Sequence, residues 1–313
     1  METDAGKFYA SYIKEYHEVR ANYLNLLLSE IDDLNKHLKK KEISKENINV
    51  PLTKNTRFII QADLRQNYFH CIETFFEFFF AFLPNNNQAP DNSKIVRQLV
   101  QAKWRNHPKK IEQIAQGKMK LNFLDQKIDF IGHQISIGHY MFYPGTMLKE
   151  KFGENWYSMV HESVKNIKKV IRALAIDFCE RDEYNAYKHT MRIFPNFESL
   201  QVLDANTKEE RINFDLSNSI SFQVYNDDKK ETTLVTKTFD PERDFDMTKL
   251  CSRLIYNMIE LRNVMFNSEK MGNGDKKVAI LLFNENNIKE SSKHNIEIQN
   301  ISFSTKLVQK GNS

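Results

Sequence analysis

The hydrophobic pattern of this chain changes its period at Pro195, and this change limits the folds that are open to it. Before Pro195, apolar residues recur every three or four positions in three segments without internal Gly or Pro, residues 8–39, 57–83 and 154–193. Such spacing predicts three long amphipathic helices. After Pro195, the runs LQVLD, RINFDL, SISFQVY and TTLVTKTF alternate apolar and polar residues, which predicts antiparallel strands.

The C-terminal part returns to helical spacing over residues 244–270 and then carries two more apolar runs, KVAILLF and IEIQNISFSTKL, which predict two further strands. The predicted fold class is therefore mainly α: a helical bundle with a smaller α+β C-terminal part that contains an antiparallel sheet. Since 313 residues exceed the size at which one core usually stops growing, we expect two domains, residues 1–195 and 196–313.

Charge does not mark the chain as a dedicated nucleic-acid binder, because 45 basic and 41 acidic residues leave a net charge of only +4. The local basic cluster of Arg105, Lys109 and Lys110 is typical of a solvated loop. Three widely spaced cysteines offer neither a disulfide framework nor a four-cysteine zinc site, which favours a reducing, cytoplasmic location. The sequence has no signal-peptide pattern and no apolar run long enough to cross a bilayer, so no membrane partner is expected.

The most informative polar residues follow the apolar stripe of the third predicted helix. If that helix continues at 100° per residue, the stripe leads to Arg181, Asn185 and His189, with Arg192 in line and Lys188 close by. Buried polar groups without partners cost several kcal/mol, so these residues need an explanation. They are either structural, because the helix leaves the core or its polar groups pair across the bundle, or they line a functional cleft.

A functional cleft of this composition suits the cleavage of RNA without a metal. His189 would act as general acid or base on the ribose 2′-hydroxyl, and Asn185 would orient the imidazole or a phosphate oxygen. Arg181 would complete the catalytic group by stabilising the charge of the phosphorane, while Lys188 and Arg192 would bind phosphate. This hypothesis names RNA as the ligand and needs neither a cofactor nor a metal ion.

At residues 180–192 the chain resembles the HEPN superfamily of helical-bundle proteins, which includes toxins and antiviral ribonucleases. Its members carry an arginine, a polar residue and then a histidine, with four to six residues between the arginine and the histidine. Seven residues separate Arg181 from His189, whereas four separate Arg65 from His70. The resemblance implies metal-independent endoribonuclease activity and a homodimer whose cleft is formed by two copies of the motif helix.

A second polar group lies on one face of the second predicted helix, opposite its aromatic residues, and consists of Asp63, Gln66, His70, Glu73 and Glu77. A face rich in carboxylates is typical of a solvated surface. The alternatives are a surface that pairs with Arg181 and His189, or a metal site at His70, Glu73 and Glu77. The paired Glu-x-x-His signature of di-iron bundles is absent from the sequence, which disfavours the metal site.

The rival hypothesis is a non-enzymatic interaction or scaffold protein in which the polar stripe is a structural network. The sequence contains no P-loop and no G-x-S-x-G, G-x-G-x-x-G or H-E-x-x-H motif, so other common catalytic mechanisms have no support. In the ribonuclease hypothesis the C-terminal part, residues 196–313, would be a sensor, a regulatory module or a module that binds a protein partner. In the rival hypothesis the helical bundle and the small sheet would bind another protein. Within the C-terminal part, Arg262 and Asn263 are expected to form a polar patch on the last long helix.

Overall fold

The structure is a computed structural model of the chain. The residues that it describes are 4–43, 52–85, 88–101, 107–146, 153, 155–179, 181–188, 193–195, 199–203, 210–215, 219–226, 230–267, 278–292 and 301–305. The fold is mainly helical, with a smaller C-terminal set of antiparallel strands, which confirms the predicted fold class.

The N-terminal segment forms helices α1 (Ala5–Ser11), α2 (Tyr16–Ser29) and α3 (Ile31–Ile43). The prediction of one continuous helix over residues 8–39 is therefore wrong. The backbone at Tyr12 is extended, with φ −69° and ψ 128°, and this residue ends α1. The hydroxyl of Ser11 also donates to the carbonyl oxygen of Lys7 at 2.8 Å, a bond within the last turn that competes with regular helix geometry.

The middle of the chain forms helices α4 (Leu52–Ala81), α5 (Asn92–Gln101), α6 (His107–Ala115), α7 (Ile137–Phe142) and α8 (Asn155–Phe178), with a hairpin of strands β1 (Lys127–Phe130) and β2 (His133–Ser136) before α7. The third predicted helix was expected to reach residue 193, but α8 ends at Phe178 and α9 (Arg181–Lys188) is a separate helix. The N–H of Cys179 bonds to the carbonyl oxygens of both Ala175 and Ile176, which is the tightened geometry of a helix end.

The C-terminal strands form two antiparallel arrangements. Strands β4 (Ser199–Leu203) and β5 (Glu210–Asp215) make a hairpin, and a four-stranded sheet has the order β3 (Ile193–Pro195), β6 (Ser219–Asn226), β7 (Glu231–Thr238) and β8 (Ile301–Thr305). Between β7 and β8 the described residues also form helices α10 (Pro241–Asn267) and α11 (Glu285–Ser292). The predicted strand KVAILLF is wrong, because residues 278–283 lie in neither a strand nor a helix.

Two compact units are present, and each draws on several stretches of chain. Unit 1 comprises residues 1–21, 67–179 and 245–293, and unit 2 comprises residues 22–66, 180–244 and 294–313. These units record which residues lie close together. The predicted domains, 1–195 and 196–313, concern which segments fold independently, and that division stays a prediction.

The core of unit 1 is built on the aromatic second half of α4. Phe75, Phe76 and Phe79 are fully buried, and the ring of Phe76 meets that of Phe178 of α8 edge to face at 6.4 Å. Helix α7 approaches α8 closely through Gly138, since a Cβ atom there would lie 2.4 Å from a methyl group of Val164. Glycine is therefore required at position 138 for this packing.

Arg262 of α10, expected to be part of a polar patch on this helix, is buried in the core of unit 1. Its guanidinium donates to the carbonyl oxygens of Tyr140 at 3.1 Å, Met141 at 3.0 Å and Met258 at 2.7 Å. The central guanidinium carbon lies 3.9 Å from the centroid of the Phe82 ring. Arg262 thus satisfies carbonyl groups near the end of α7 and joins them to α10 and to Phe82, which directly follows α4.

The backbone of the segment 278–283 is held by side chains instead of by a neighbouring strand. Asn257 of α10 accepts from the N–H of Leu281 at 3.2 Å and donates to its carbonyl oxygen at 2.7 Å. Two residues later, the N–H of Phe283 donates to the hydroxyl of Ser163 at 2.7 Å, and the carbonyl of Phe283 accepts from Asn166 at 3.2 Å. These bonds satisfy backbone groups that a strand would pair with its neighbour, so the segment needs no strand partner at Leu281 and Phe283.

Replacing Asn257 with alanine is expected to lower the free energy of unfolding by about 1 to 3 kcal/mol, because the N–H of Leu281 loses the acceptor that satisfies it. Urea denaturation measures this loss, and faster amide exchange at Leu281 localises it. Asn286→Ala is the matched control, since Asn286 is exposed on α11. An Asn257 variant as stable as this control would show that the paired bonds do not hold the segment.

Candidate functional site

A polar pocket lies in unit 1 where the end of α4 meets α5 and the start of α6. We call it the α5 pocket; it is an open recess of about 520 Å³, part of which is bulk solvent, and it is lined by Glu77, Lys94, Arg97, Gln98, Gln101 and His107. Four of the six residues belong to α5. The pocket therefore depends mainly on how this one helix presents its outer face.

Helix α5 has a clear division between its two faces. Ile95 and Val96 are buried, and they fix the helix against the rest of unit 1. The residues that line the pocket occupy positions i, i+3, i+4 and i+7, which fall on one face of a helix, and they are Lys94, Arg97, Gln98 and Gln101. The start of α5 is fixed by Asp91, whose carboxylate accepts from the N–H of Ser93 at 2.9 Å.

The back of the α5 pocket contains a histidine and a carboxylate from different helices. Nδ1 of His107 lies 3.8 Å from Oε2 of Glu77, which is close enough for an ion pair when the imidazole is protonated. The imidazole ring also lies 4.8 Å from the ring of Phe80. His107 is therefore held between the ring of Phe80 and the carboxylate of Glu77 at the back of the pocket.

Positive charge dominates the surroundings of this pocket. Lys94 and Arg97 are exposed at its rim, and Glu77 is the acidic residue among its lining residues. Nζ of Lys110 lies 5.3 Å from the centroid of the Phe80 ring, beside the same group. Arrangements of two cations with hydrogen-bonding amides and an imidazole bind anions and transfer protons.

The basic residues Lys109 and Lys110 are exposed, as expected for a solvated cluster, but they lie in the first turn of α6 rather than in a loop. Arg105 lies outside the described residues. The signal that sequence reasoning missed is the polar face of α5, which is visible as two cations and two amides at helical spacing. The pairing of Glu77 with His107 has no such signal, because it depends on how α4 and α6 pack.

The residues predicted as a catalytic group are only partly covered by the structure. Arg181 and Lys188 are the first and last residues of α9, and Asn185 is exposed on that helix. His189 and Arg192 lie outside the described residues. The prediction assumed one continuous helix, whereas α8 ends at Phe178 and α9 is a separate helix. The assignment of these residues to a cleft stays a prediction.

A charge cluster in unit 2 contains Glu183 of α9 and is formed by two buried acids, Glu183 and Asp244, and two half-buried cations, Arg65 and Lys237. Arg65 donates to both carboxylate oxygens of Glu183, at 3.0 and 3.3 Å, and to Oδ1 of Asp244 at 2.6 Å. Lys237 of β7 donates to Glu183 at 3.2 Å. Two cations and two carboxylates thus meet in one place. Arg65 matches the HEPN spacing with His70, yet its guanidinium is bound within this cluster.

The charge cluster shifts the pKa values of its two acids in opposite directions. Burial alone raises the pKa of Glu183, but Arg65 and Lys237 outweigh it and hold this pKa below its usual value. Burial raises the pKa of Asp244 to about 6, although Arg65 opposes the shift. Glu183 is therefore ionised at neutral pH, and Asp244 titrates closer to neutrality than an exposed aspartate.

His70, the other residue of that spacing match, is exposed on α4 in unit 1, and its ring lies 4.9 Å from that of His17. His17 is buried, and its Nε2 lies 3.1 Å from the hydroxyl oxygen of Thr74. Burial, followed by the neighbouring His70, lowers the pKa of His17 to about 4. His17 is therefore neutral at physiological pH and belongs to the packing of α2 on α4.

Across the described residues, no three His, Cys, Asp or Glu side chains converge to hold a metal ion, so His70, Glu73 and Glu77 do not form such a group. In the same part of the chain, none of the helices has the length and apolar character needed to span a membrane. No protein-family profile, curated protein or solved structure matches the chain. Its function has to be argued from the chemistry of its own residues.

Proposed function

We propose that this chain binds RNA at the α5 pocket and cleaves it without a metal ion, with His107 as the residue that transfers the proton. The observation that carries the proposal is the meeting of two exposed cations, Lys94 and Arg97, with the His107–Glu77 pair in one recess. An RNA backbone offers the anionic phosphate and the 2′-hydroxyl that such a recess would engage.

Each group in the pocket has a role in this chemistry. Lys94 and Arg97 bind the phosphate oxygens and stabilise the extra negative charge of the phosphorane. His107 accepts the proton of the 2′-hydroxyl as the 2′-oxygen attacks phosphorus, and the departing 5′-oxygen takes a proton from solvent. The carboxylate of Glu77, 3.8 Å away, stabilises the imidazolium that forms.

His107→Ala is expected to reduce the cleavage of a single-stranded RNA oligonucleotide by a factor of about 100 or more, because a proton-transfer residue contributes on that scale. The assay contains a chelator, so that a metal-dependent nuclease carried over from the expression host is inactive. His161→Ala is the matched control, since His161 is exposed on α8 outside the pocket. Equal activity in both variants would remove His107 from the mechanism.

The binding step is tested by reversing the charge of the two cationic side chains, Lys94 and Arg97. Lys94→Glu combined with Arg97→Glu is expected to weaken binding of the same oligonucleotide at least about tenfold and to reduce its salt dependence, since two phosphate contacts are lost. Lys127→Glu combined with Arg172→Glu changes the net charge equally at exposed positions outside the pocket. If both double variants bind alike, the attraction is general electrostatics and not this site.

A second location for the same activity is the group implied by the HEPN resemblance, with Arg181, Asn185 and His189 as catalytic residues and Lys188 and Arg192 as phosphate ligands. His189→Ala in the same cleavage assay separates the two locations. Loss of cleavage in this variant, with His107→Ala fully active, would place the chemistry after α9.

The second candidate function is that of a non-enzymatic interaction or scaffold protein. The charge cluster favours it, because Arg65 and Lys237 both form ion pairs with Glu183 inside unit 2. Such pairing is typical of a structural network. A protein partner would then bind the C-terminal part, residues 196–313. The absence of both RNA binding and RNA cleavage in the unaltered protein would favour this function over the ribonuclease.

A further inference from the structure

The segment 278–283 of unit 1 has its backbone bonded at alternate residues. A network of four side chains binds the N–H and carbonyl groups of Leu281 and Phe283, and its members are Tyr143, Ser163, Asn166 and Asn257. The hydroxyl oxygens of Tyr143 and Ser163 lie 2.5 Å apart, so the network is connected. Bonding of residues i and i+2 to one side, in a segment without helix, turn or bend, is the pattern of an extended chain.

The intervening residues of this segment direct their backbone groups to the opposite edge. In an extended chain the N–H and carbonyl groups of successive residues point to alternate sides, so those of Ile280 and Leu282 point away from the network. Within the part of the chain that the structure describes, no hydrogen bond reaches the backbone of Ile280 or Leu282, and neither residue belongs to a strand or an isolated β-bridge. We call this side of the segment the 280–282 edge.

The composition of the segment does not hinder pairing at this edge. Edge strands in natural proteins commonly carry a lysine, a proline or a bulge that prevents another strand from adding to them. The sequence of the segment, VAILLF, has no charged residue and no proline. Val278, Ile280 and Leu282, which share one face of an extended chain, are all half-buried, so part of their aliphatic surface is accessible.

We propose that the 280–282 edge binds an extended segment of another protein, which adds to it as a neighbouring β-strand. Ile280 and Leu282 each offer a donor and an acceptor, and their partial charges are complementary to a second extended backbone, which supplies an acceptor and a donor at the same spacing. The phosphates of a nucleic acid supply acceptors alone, and a helix uses its backbone groups internally. The edge therefore selects a peptide strand as its partner.

The side chains beside the edge define the composition of that partner strand. Paired strands bring side chains on the same face into contact, so a partner with aliphatic residues at alternate positions would cover Val278, Ile280 and Leu282. The backbone bonds would provide affinity, and these side-chain contacts would provide selectivity.

Binding at the 280–282 edge does not depend on RNA binding, because the α5 pocket is formed by other residues. It gives the protein partner of the second candidate function a chemical class, an extended peptide, and a place within residues 196–313. Since a protein that cleaves no RNA could still bind a peptide here, failure of one proposal is distinguishable from failure of the other.

Amide hydrogen exchange of the full chain, resolved by residue with NMR, tests the state of the edge. The amides of Ile280 and Leu282 are expected to exchange at least about tenfold faster than those of Leu281 and Phe283, because the latter two are hydrogen-bonded. Equal protection at all four positions would overturn the proposal, since the edge would then already be paired within the chain.

The probe for binding is a short peptide of alternating valine and threonine, N-methylated at every second residue so that only one of its edges can pair. Adding it is expected to slow exchange at Ile280 and Leu282 and to leave Leu281 and Phe283 unchanged. The matched control is the same peptide N-methylated at every residue, which should bind at least about tenfold more weakly because its amides no longer donate. Equal effects of the two peptides, or no slowing at Ile280 and Leu282, would contradict strand addition.

A substitution in the protein tests the same contact from the other side. Ile280→Pro removes an N–H that faces the partner and is expected to weaken binding of the one-edged peptide at least about tenfold, whereas Ile280→Val retains this N–H and should bind normally. Proline is compatible with an edge whose N–H points outward, so both variants should fold, which thermal denaturation checks.

Equal binding by folded Ile280→Pro and Ile280→Val would overturn the proposal. Self-association of the unaltered protein that Ile280→Pro abolishes would also overturn it, because the edge would then pair with a second copy. If Ile280→Pro fails to fold, the two N-methylated peptides decide the matter, since they leave the protein unaltered.

Discussion

Arg65→Ala is expected to lower the free energy of unfolding by about 3 to 5 kcal/mol, the scale of removing one partner from a buried ion pair. Arg65 binds Glu183 through two hydrogen bonds and Asp244 through a third, and both acids are almost completely buried. Its loss removes the cation that the two carboxylates share. Urea denaturation at neutral pH measures the effect.

The matched control is Arg57→Ala, because Arg57 is exposed on the same helix, α4. It is expected to change stability by no more than about 0.5 kcal/mol. If Arg65→Ala and Arg57→Ala lower the free energy of unfolding by the same small amount, the ion pairs of the charge cluster do not contribute to stability.

The penalty of Arg65→Ala should also depend on pH. In the folded protein the pKa of Asp244 is raised from 3.8 to about 6, so its contribution to stability falls as pH rises through this interval. The pKa of Glu183 is lowered, so its contribution is present at neutral pH and is lost as pH falls through its folded pKa. Without Arg65 both pKa values rise, and the penalty should be larger at about pH 8 than at about pH 5. A larger penalty at the lower pH would contradict this origin.

The elements that the sequence predicted correctly are those with strong periodicity and clear ends. Helix α4 has long apolar spacing and is followed by Pro84, and β6 alternates through Ile220, Phe222 and Val224. The break after α1 could not be predicted, because the segment has no Gly or Pro. Lys14, within the break, forms an ion pair with Glu260, so a contact distant in sequence helps to fix the chain there.

Two further misses have different physical causes. The hairpin of β1 and β2 turns at Ile131 and Gly132, both with positive φ, and isoleucine is rarely found in such a turn. The segment 278–283 is a continuous apolar run of the kind that is common in buried strands, but Asn257 and Ser163 satisfy its backbone. A short apolar run shows that a segment is buried and does not show which groups bind its backbone.

The candidate site also has one part that the sequence could predict and another part that it could not. The polar face of α5 follows from helical spacing and could have been predicted from residues 94–101 alone. The position of His107 beside Glu77 could not, and neither could the charge cluster, whose members come from four elements of unit 2. In the sequence each of these residues is one charge among many, and only tertiary packing selects its partner.

Arg262→Lys is expected to lower the free energy of unfolding by about 3 kcal/mol, although the charge is retained. Arginine uses two nitrogens to reach three carbonyl oxygens and places its flat guanidinium 3.9 Å from the centroid of Phe82. Lysine has one nitrogen and no planar group, so carbonyl groups at the end of α7 lose their donor and the contact with Phe82 is weakened.

Thermal and urea denaturation of Arg262→Lys are compared with those of Arg172→Lys, which makes the same change at an exposed position on α8. Arg172→Lys should leave the free energy of unfolding nearly unchanged, because solvent satisfies either side chain at this exposed position. The buried change should be costly, since an ammonium group at position 262 would have to be desolvated with fewer hydrogen bonds to offset the loss of water. A difference of less than about 0.5 kcal/mol between the two variants would mean that the guanidinium geometry of Arg262 does not hold α7 to α10.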